Sequence, residues 1–381
     1  MKILIAPDSF KESLEAIEVC QAIQSGFRQV FADADYTLLP MADGGEGTSD
    51  VLSYALDGRW KEITVHDPLM RLIKAKYLLL AEGTAVIEMA RASGLHLLTT
   101  EERNPLATSS YGVGELVADA LAEGAKRIII GLGGSATNDA GLGMLSALGV
   151  KFYDAQGNLL SQGGAELAKL TRIDTSDLSP GVTNAVFEVA CDVTNPLCGE
   201  LGASAVFGPQ KGASLEQVAQ LDKALNNFAQ VCQQQGFDDC QNIAGAGAAG
   251  GLGFALMRFC AAQLQSGFTT VAETLKLSEH IANADLVITG EGKLDTQTAM
   301  GKVAGGISQI ARQHGVPVMA ICGSVDGLNR AQTTQFEVVM PSIQKIEPIQ
   351  QVLENAYDNI ETTAANLAAA MRLGQMMSVM Y

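Results

Sequence analysis

Residues 284–306 read ADLVITGEGKLDTQTAMGKVAGG, an apolar run that ends in a turn carrying Glu291, Lys293 and Asp295 among glycines. A segment of helical pattern follows. Four other segments place acids in the same way, three of them beside glycine. PDSFKES (7–13) holds Asp8 and Lys11, MADGGEGTSD (41–50) holds Asp43, and CDVTNPLCGE (191–200) holds Asp192. The fourth, GLGGSATNDAGLG (131–143), joins an Ile-rich run to a helix start through Gly133, Gly134, Ser135 and Asn138. Glycine admits positive φ and close approach of backbone to a ligand. Successive N–H groups at a helix start then form a concave anion site. Acids in such loops repel a phosphate unless a divalent cation lies between them. The combination therefore points to nucleotide phosphate bridged by Mg²⁺.

Phosphoryl transfer suits this inventory because it needs positioning, metal and neutralising donors rather than a protein nucleophile. The competing chemistries lack their parts. No G-x-x-x-x-G-K-[ST] loop, G-x-S-x-G elbow or S-x-x-K motif occurs, and APDSFK near the N-terminus has no glycine for a dinucleotide fingerprint. The four histidines, at 66, 96, 280 and 314, show neither metal-pair nor triad spacing. Seven scattered cysteines without a C-x-x-C pair argue against a disulfide framework or a zinc site and are expected to be reduced thiols.

Positioning these loops falls to alternating strands and helices. KILIAP (2–7), AVIEMA (85–90), RIIIGLGG (127–134), AVFEVACDV (185–193), DLVITGEG (285–292), VPVMAICG (316–323) and FEVVMPSI (336–343) read as strands. Helical periodicity covers 13–31, 112–125, 214–235 and 346–373. Strands that are apolar throughout imply sheets covered on both faces, so the expected class is α/β with mainly parallel strands. A length of 381 residues suggests two domains. The expected division is a discontinuous Rossmann-like α/β domain from 1–71 plus 283–381, with 72–282 inserted as a second α/β domain. GAGAAGGLG (245–253) reads either as helix–strand packing or as a further glycine loop.

The chain is 47% hydrophobic and carries a net charge of −17. It can build a large core, and it repels nucleic acid and anionic membrane. The N-terminal apolar run is too short for a signal peptide and no stretch reaches the length of a membrane span, so a cytoplasmic protein is expected.

Eight motifs in order resemble the bacterial glycerate kinases: IAPDSFKESL, PMADGGEGT, RNPLATSSYGVGEL, GLGGSATNDAGLGML, ACDVTNPLCG, GASAVFGPQKGA, GAGAAGGLGFAL and ITGEGKLDTQT. The resemblance spans residues 1 to about 325. It implies ATP-dependent phosphorylation of D-glycerate with Mg²⁺, in a two-domain α/β fold whose active site lies in the interdomain cleft. The branch most resembled makes 2-phosphoglycerate, older usage says 3-phosphoglycerate, and the sequence leaves both hydroxyls open. It also leaves a homodimer open. Another small sugar-acid or polyol kinase, or a non-catalytic nucleotide-binding regulator, are the alternatives.

On this reading Asp8, Lys11 and Arg91 bind substrate, and Gly133, Gly134, Ser135 and Asn138 bind nucleotide. Asp43, Asp192, Lys293 and Asp295 form the catalytic set, with Glu291 and Asp295 holding metal. Asp43 or Asp192 is expected nearest the substrate hydroxyl. The bland reading of Asp295 is a cap on a helix beginning near Thr296.

Overall fold

The computed structural model describes residues 1–295, 303–327 and 333–378. The chain divides into two compact units. The first comprises Met1–Asp43, Asp50–Ala55 and Phe268–Tyr381, and the second Gly44–Ser49 and Leu56–Gly267.

The first unit is built on a five-stranded sheet of β1 (Lys2–Ile5), β2 (Asp35–Leu38), β11 (Leu286–Leu294), β12 (Val318–Val325) and β13 (Val338–Pro341). Their order is β13-β12-β11-β1-β2, and every pairing is parallel. Ile3 and Ile5 of β1, with Leu286 and Ile288 of β11, face a core completed by Phe10, Val19, Ile23 and Phe27. Helix Ala16–Arg28 packs closely on helix Ala356–Ser378. A Cβ at Gly26 would stand 2.3 Å from the Glu361 carbonyl oxygen, so only glycine fits there.

From β1 the chain passes outward to β2, whereas from β11 it passes the other way to β12 and β13. The crossovers therefore part between β1 and β11. In open parallel sheets that parting leaves a crevice at the carboxyl ends of the strands. Asp8 and Glu291 stand at those ends.

The second unit holds a six-stranded sheet of β3 (Gly58–His66), β4 (Leu72–Leu80), β5 (Thr84–Glu88), β6 (Arg127–Gly131), β9 (Val186–Ala190) and β10 (Gln263–Gln265). The order is β10-β9-β6-β5-β4-β3. β5, β6, β9 and β10 run parallel, while β3 and β4 pair antiparallel. A small antiparallel pair, β7 (Lys151–Tyr153) and β8 (Arg172–Asp174), lies apart. The unbroken Ile128–Ile129–Ile130 run is fully buried, as a strand covered on both faces must be. β3 and β4 had not been expected. Arg59, Lys61, Glu62, Lys74 and Lys76 break their apolar runs, as befits strands with one face toward water.

All seven cysteines are free, five of them buried. Among the described residues no helix is long and apolar enough to cross a membrane.

Candidate functional site

In the first unit the loop after β1 is stitched to β11, since the Asp8 amide donates to the Gly290 carbonyl at 2.9 Å. The Met41 amide in turn donates to the Pro7 carbonyl at 2.9 Å, drawing the chain before Asp43 to the same strand end. The Asp8 carboxylate accepts the Ser9 amide at 2.7 Å. Burial, then the neighbouring carboxylate of Asp43 and less strongly that of Glu291, push its pKa up to about 7, while the Ser9 amide and Lys11 pull the other way. Three acids thus share one strand-end crevice. Glu291 is buried, Asp8 and Asp43 are partly so, and Lys11 is exposed.

β11 passes beside this loop at Gly292, where a Cβ would make ordinary contact with the Lys11 amide nitrogen at 3.5 Å. Lys293 points out of the sheet, with Nζ 2.7 Å from Asp326 Oδ2. Asp326 raises its pKa above the ordinary lysine value, and Asp295 adds to the effect. Residues 296–302 lie outside the described part, and with them the expected helix start near Thr296; the helix is described from Val303.

In the second unit the turn after β6 carries the remaining candidates. Gly133 and Gly134 are exposed, while Ser135, Thr137, Asn138 and Asp139 are buried. Gly134 has φ +71°, and a Cβ there would lie 3.2 Å from Ala90 Cβ. Backbone packing explains two neighbouring glycines: a Cβ at Gly131 would meet the Gly44 carbonyl at 2.7 Å, and one at Gly133 the Gly45 Cα at 3.3 Å. Asn138 Nδ2 donates to Ser204 Oγ at 3.0 Å. Asp139 clamps the turn, accepting from the Ser110 amide and hydroxyl and from the Gly141 and Gly143 amides.

Beneath the turn lies Lys211, which the sequence did not single out. Its Nζ donates to Ser135 Oγ at 2.8 Å and to the Thr137 carbonyl at 2.7 Å, and the residue is 1% exposed. Burial drives its pKa down to about 7, with Asp139 pulling the other way. GPQKGA was the available signal, a lone lysine between glycines with no neighbouring charge.

Two further candidates sit elsewhere in this unit. Arg91 Nε lies 2.9 Å from Glu88 Oε2, with its guanidinium 5.1 Å from the Trp60 ring centre. Glu88 Oε1 also accepts the buried Ser49 amide at 2.7 Å. Asp192 is exposed and accepts the Gly267 amide at 3.0 Å. GAGAAGGLG proves to be packing. Ala249, Gly250 and Gly251 are left-handed, and a Cβ at Gly250 would lie 2.1 Å from the Thr137 carbonyl oxygen.

Among the described residues no three His, Cys, Asp or Glu side chains form a closed metal cage. The chemistry on offer is therefore a crowded set of carboxylates at one strand end, and a glycine turn over a buried ammonium at another.

Residues 3–372 match the model of the glycerate kinase family. A glycerate kinase of Haemophilus influenzae is 48% identical over 97% of this chain and 99% of its own length. A glycerate 2-kinase of Escherichia coli is 47% identical over 98% of this chain and 99% of its own. The crystal structure of a putative glycerate kinase 2 from Salmonella typhimurium superposes with a TM-score of 0.91 at 48% identity, covering 99% of each chain.

Proposed function

The chain belongs to the glycerate kinase family, and from that premise we propose that it transfers the γ-phosphoryl group of ATP to D-glycerate, giving 2-phosphoglycerate. The observation that carries the mechanism is Asp8, whose carboxyl is held near pH 7 by burial and by Asp43 and Glu291. A general base works best when its pKa lies close to the working pH. The glycerate hydroxyl attacks the γ-phosphorus, the new O–P bond forms as the bond to the β-phosphate oxygen breaks, and ADP leaves. The hydroxyl proton passes to the Asp8–Asp43 pair, which also orients the hydroxyl. Asp192, bonded to the Gly267 amide, has the positioning part of holding a strand end to a helix start.

The donor set suits Mg²⁺. That ion prefers oxygen ligands and usually takes one or two carboxylates, completing its shell with water and phosphate oxygens. The carboxylates of Asp43 and Glu291, which stand beside Asp8 and raise its pKa, offer oxygen donors of that kind. Glu291 and Asp295 are the residues that would hold it. When bound, it neutralises phosphate charge. Lys11 and Lys293 are the nearby cations proposed for the glycerate carboxylate. Arg91, engaged by Glu88, orders its own strand end. The turn at Gly133–Asn138 takes phosphate.

Incubation with ATP, Mg²⁺ and D-glycerate, with ADP detection and phosphorus NMR of the product, tests the reading. ADP formation dependent on D-glycerate, with the phosphate on C2, is expected. Phosphate on C3 overturns the regiochemistry, and no turnover overturns the kinase reading in favour of a binding protein.

A further inference from the structure

We propose that Lys211 is a positioning residue that acts through Ser135: its buried ammonium donates to Ser135 Oγ and the Thr137 carbonyl, and so turns the Ser135 hydroxyl proton outward to a nucleotide phosphate on the Gly133–Ser135 turn. This rests on the phosphate role just given to that turn. A protonated lysine has three donors and no acceptor. The contact at 2.8 Å therefore fixes Ser135 Oγ as acceptor, and the hydroxyl must donate elsewhere. Among the described residues no acceptor takes that proton. Ser135 is 9% exposed and is followed inward by Lys211, while the two glycines before it are exposed. The hydroxyl thus stands between the open backbone of the turn and the buried charge.

Two further observations indicate that this region is not built for stability. Thr137 Oγ1 and Asn138 Oδ1 are buried without hydrogen-bond partners among the described residues, a costly condition in a protein interior. A buried lysine is likewise unfavourable, and an apolar side chain of similar volume is often as stable or more so. Burial also holds the lysine's pKa down near 7, which an adjacent anion relieves. A phosphate oxygen accepting from Ser135 would be polarised through the hydroxyl by the ammonium behind it, without the lysine reaching the surface.

The test compares Lys211→Met, Lys211→Gln, Ser135→Ala and the Lys211→Met/Ser135→Ala pair, reading melting temperature and the separate KM values for ATP and D-glycerate. Lys211→Met and Ser135→Ala should each raise KM for ATP about tenfold or more, the scale of a lost charge-assisted bond, and spare KM for glycerate. The double variant should be no worse than either single one, because the two groups act as a unit. Lys211→Gln keeps an N–H donor and should recover most of the loss. Wild-type KM for ATP in Ser135→Ala overturns the phosphate reading of the turn, and the proposal with it. A defect in Ser135→Ala beside a normal Lys211→Met overturns only the lysine's part, as do additive effects or a defect confined to glycerate. Should Lys211→Met fail to fold, Lys211→Gln against Ser135→Ala decides: equal losses in the two overturn the proposal, and a near-normal Gln variant supports it.

Discussion

Lys293 Nζ on β11 lies 2.7 Å from Oδ2 of Asp326, the residue that follows the adjacent parallel strand β12, with both side chains more than half exposed. An exposed pair of this kind contributes about 0–1 kcal/mol to stability. Its interest is therefore functional, since Asp326 holds a cation at the strand end where the glycerate carboxylate is proposed to bind. Lys293→Met should raise KM for glycerate about tenfold, as loss of a bond to a charged group worth about 1.5–3 kcal/mol implies, with melting temperature almost unchanged. Asp326→Asn should leave turnover intact. Steady-state kinetics in which Lys293→Met matches wild type would reduce the residue to a surface ion pair.

Asp8 links pH to both stability and rate. Its pKa is raised to about 7 from 3.8 by burial first and by Asp43 and Glu291 after. A raised carboxyl favours the protonated folded state, so stability is greatest below the unfolded pKa and falls as pH rises through about 7. Asp8→Asn removes that loss. Metal-free Asp8→Asn should gain up to about 2–4 kcal/mol at pH 8 and nothing near pH 4. Its kcat should fall about a hundredfold or more, the scale of a lost general base. Thermal melts in EDTA at both pH values, set beside kcat, check this. A variant less stable at pH 8, or one with normal kcat, would remove Asp8 from the base role.

Gly134 offers a test through backbone geometry. At φ +71° it occupies a region that a β-branched residue adopts only under strain, and its Cβ would crowd Ala90. Gly134→Val should cost about 1–3 kcal/mol and remove ATP binding by calorimetry in protein that remains folded by circular dichroism. Retained ATP affinity in folded Gly134→Val would move the phosphate elsewhere.

How far such residues could be read from sequence depended on whether the signal was local. The apolar run DLVITGEG announced β11 (Leu286–Leu294) and RIIIGLGG announced β6 (Arg127–Gly131), because a strand buried on both faces is apolar throughout. Periodicity over 214–235 matched helix Leu215–Gln234, where Ser214 accepts the Gln217 amide as a cap. Periodicity over 346–373 did not reveal the break at Asn355 between helices Ile349–Glu354 and Ala356–Ser378. Asp8 was visible as an acid at a strand end. Its raised pKa was not, because that depends first on burial in the fold and then on Asp43 and Glu291 arriving from distant segments. Lys211 was invisible for the same reason. A lysine in a loop is ordinarily solvated, and only the fold places its ammonium beneath Ser135, 76 residues away in sequence.

Asp139 ties that buried lysine to the shape of the turn. Its Oδ2 accepts from the Ser110 amide at 2.8 Å, the Ser110 hydroxyl at 2.8 Å and the Gly143 amide at 3.1 Å, and Oδ1 accepts from the Gly141 amide at 3.2 Å. Burial pushes its pKa up while these donors pull it down. Asparagine offers one acceptor oxygen. If that oxygen takes the three donors, the NH₂ group faces the Gly141 N–H and a donor opposes a donor. Asp139→Asn should therefore cost about 2–4 kcal/mol in denaturant unfolding, the scale of breaking a buried charged network. A second effect should follow through Lys211. Asp139 opposes the fall in the lysine's pKa, so without it that pKa drops further below about 7 and less ammonium stands behind Ser135 at neutral pH. The rise in KM for ATP should accordingly be larger at pH 8 than at pH 6. Asp139→Asn with wild-type stability would show that the four donors do not need the charge. A KM effect independent of pH would show that Asp139 shapes the turn without acting on Lys211.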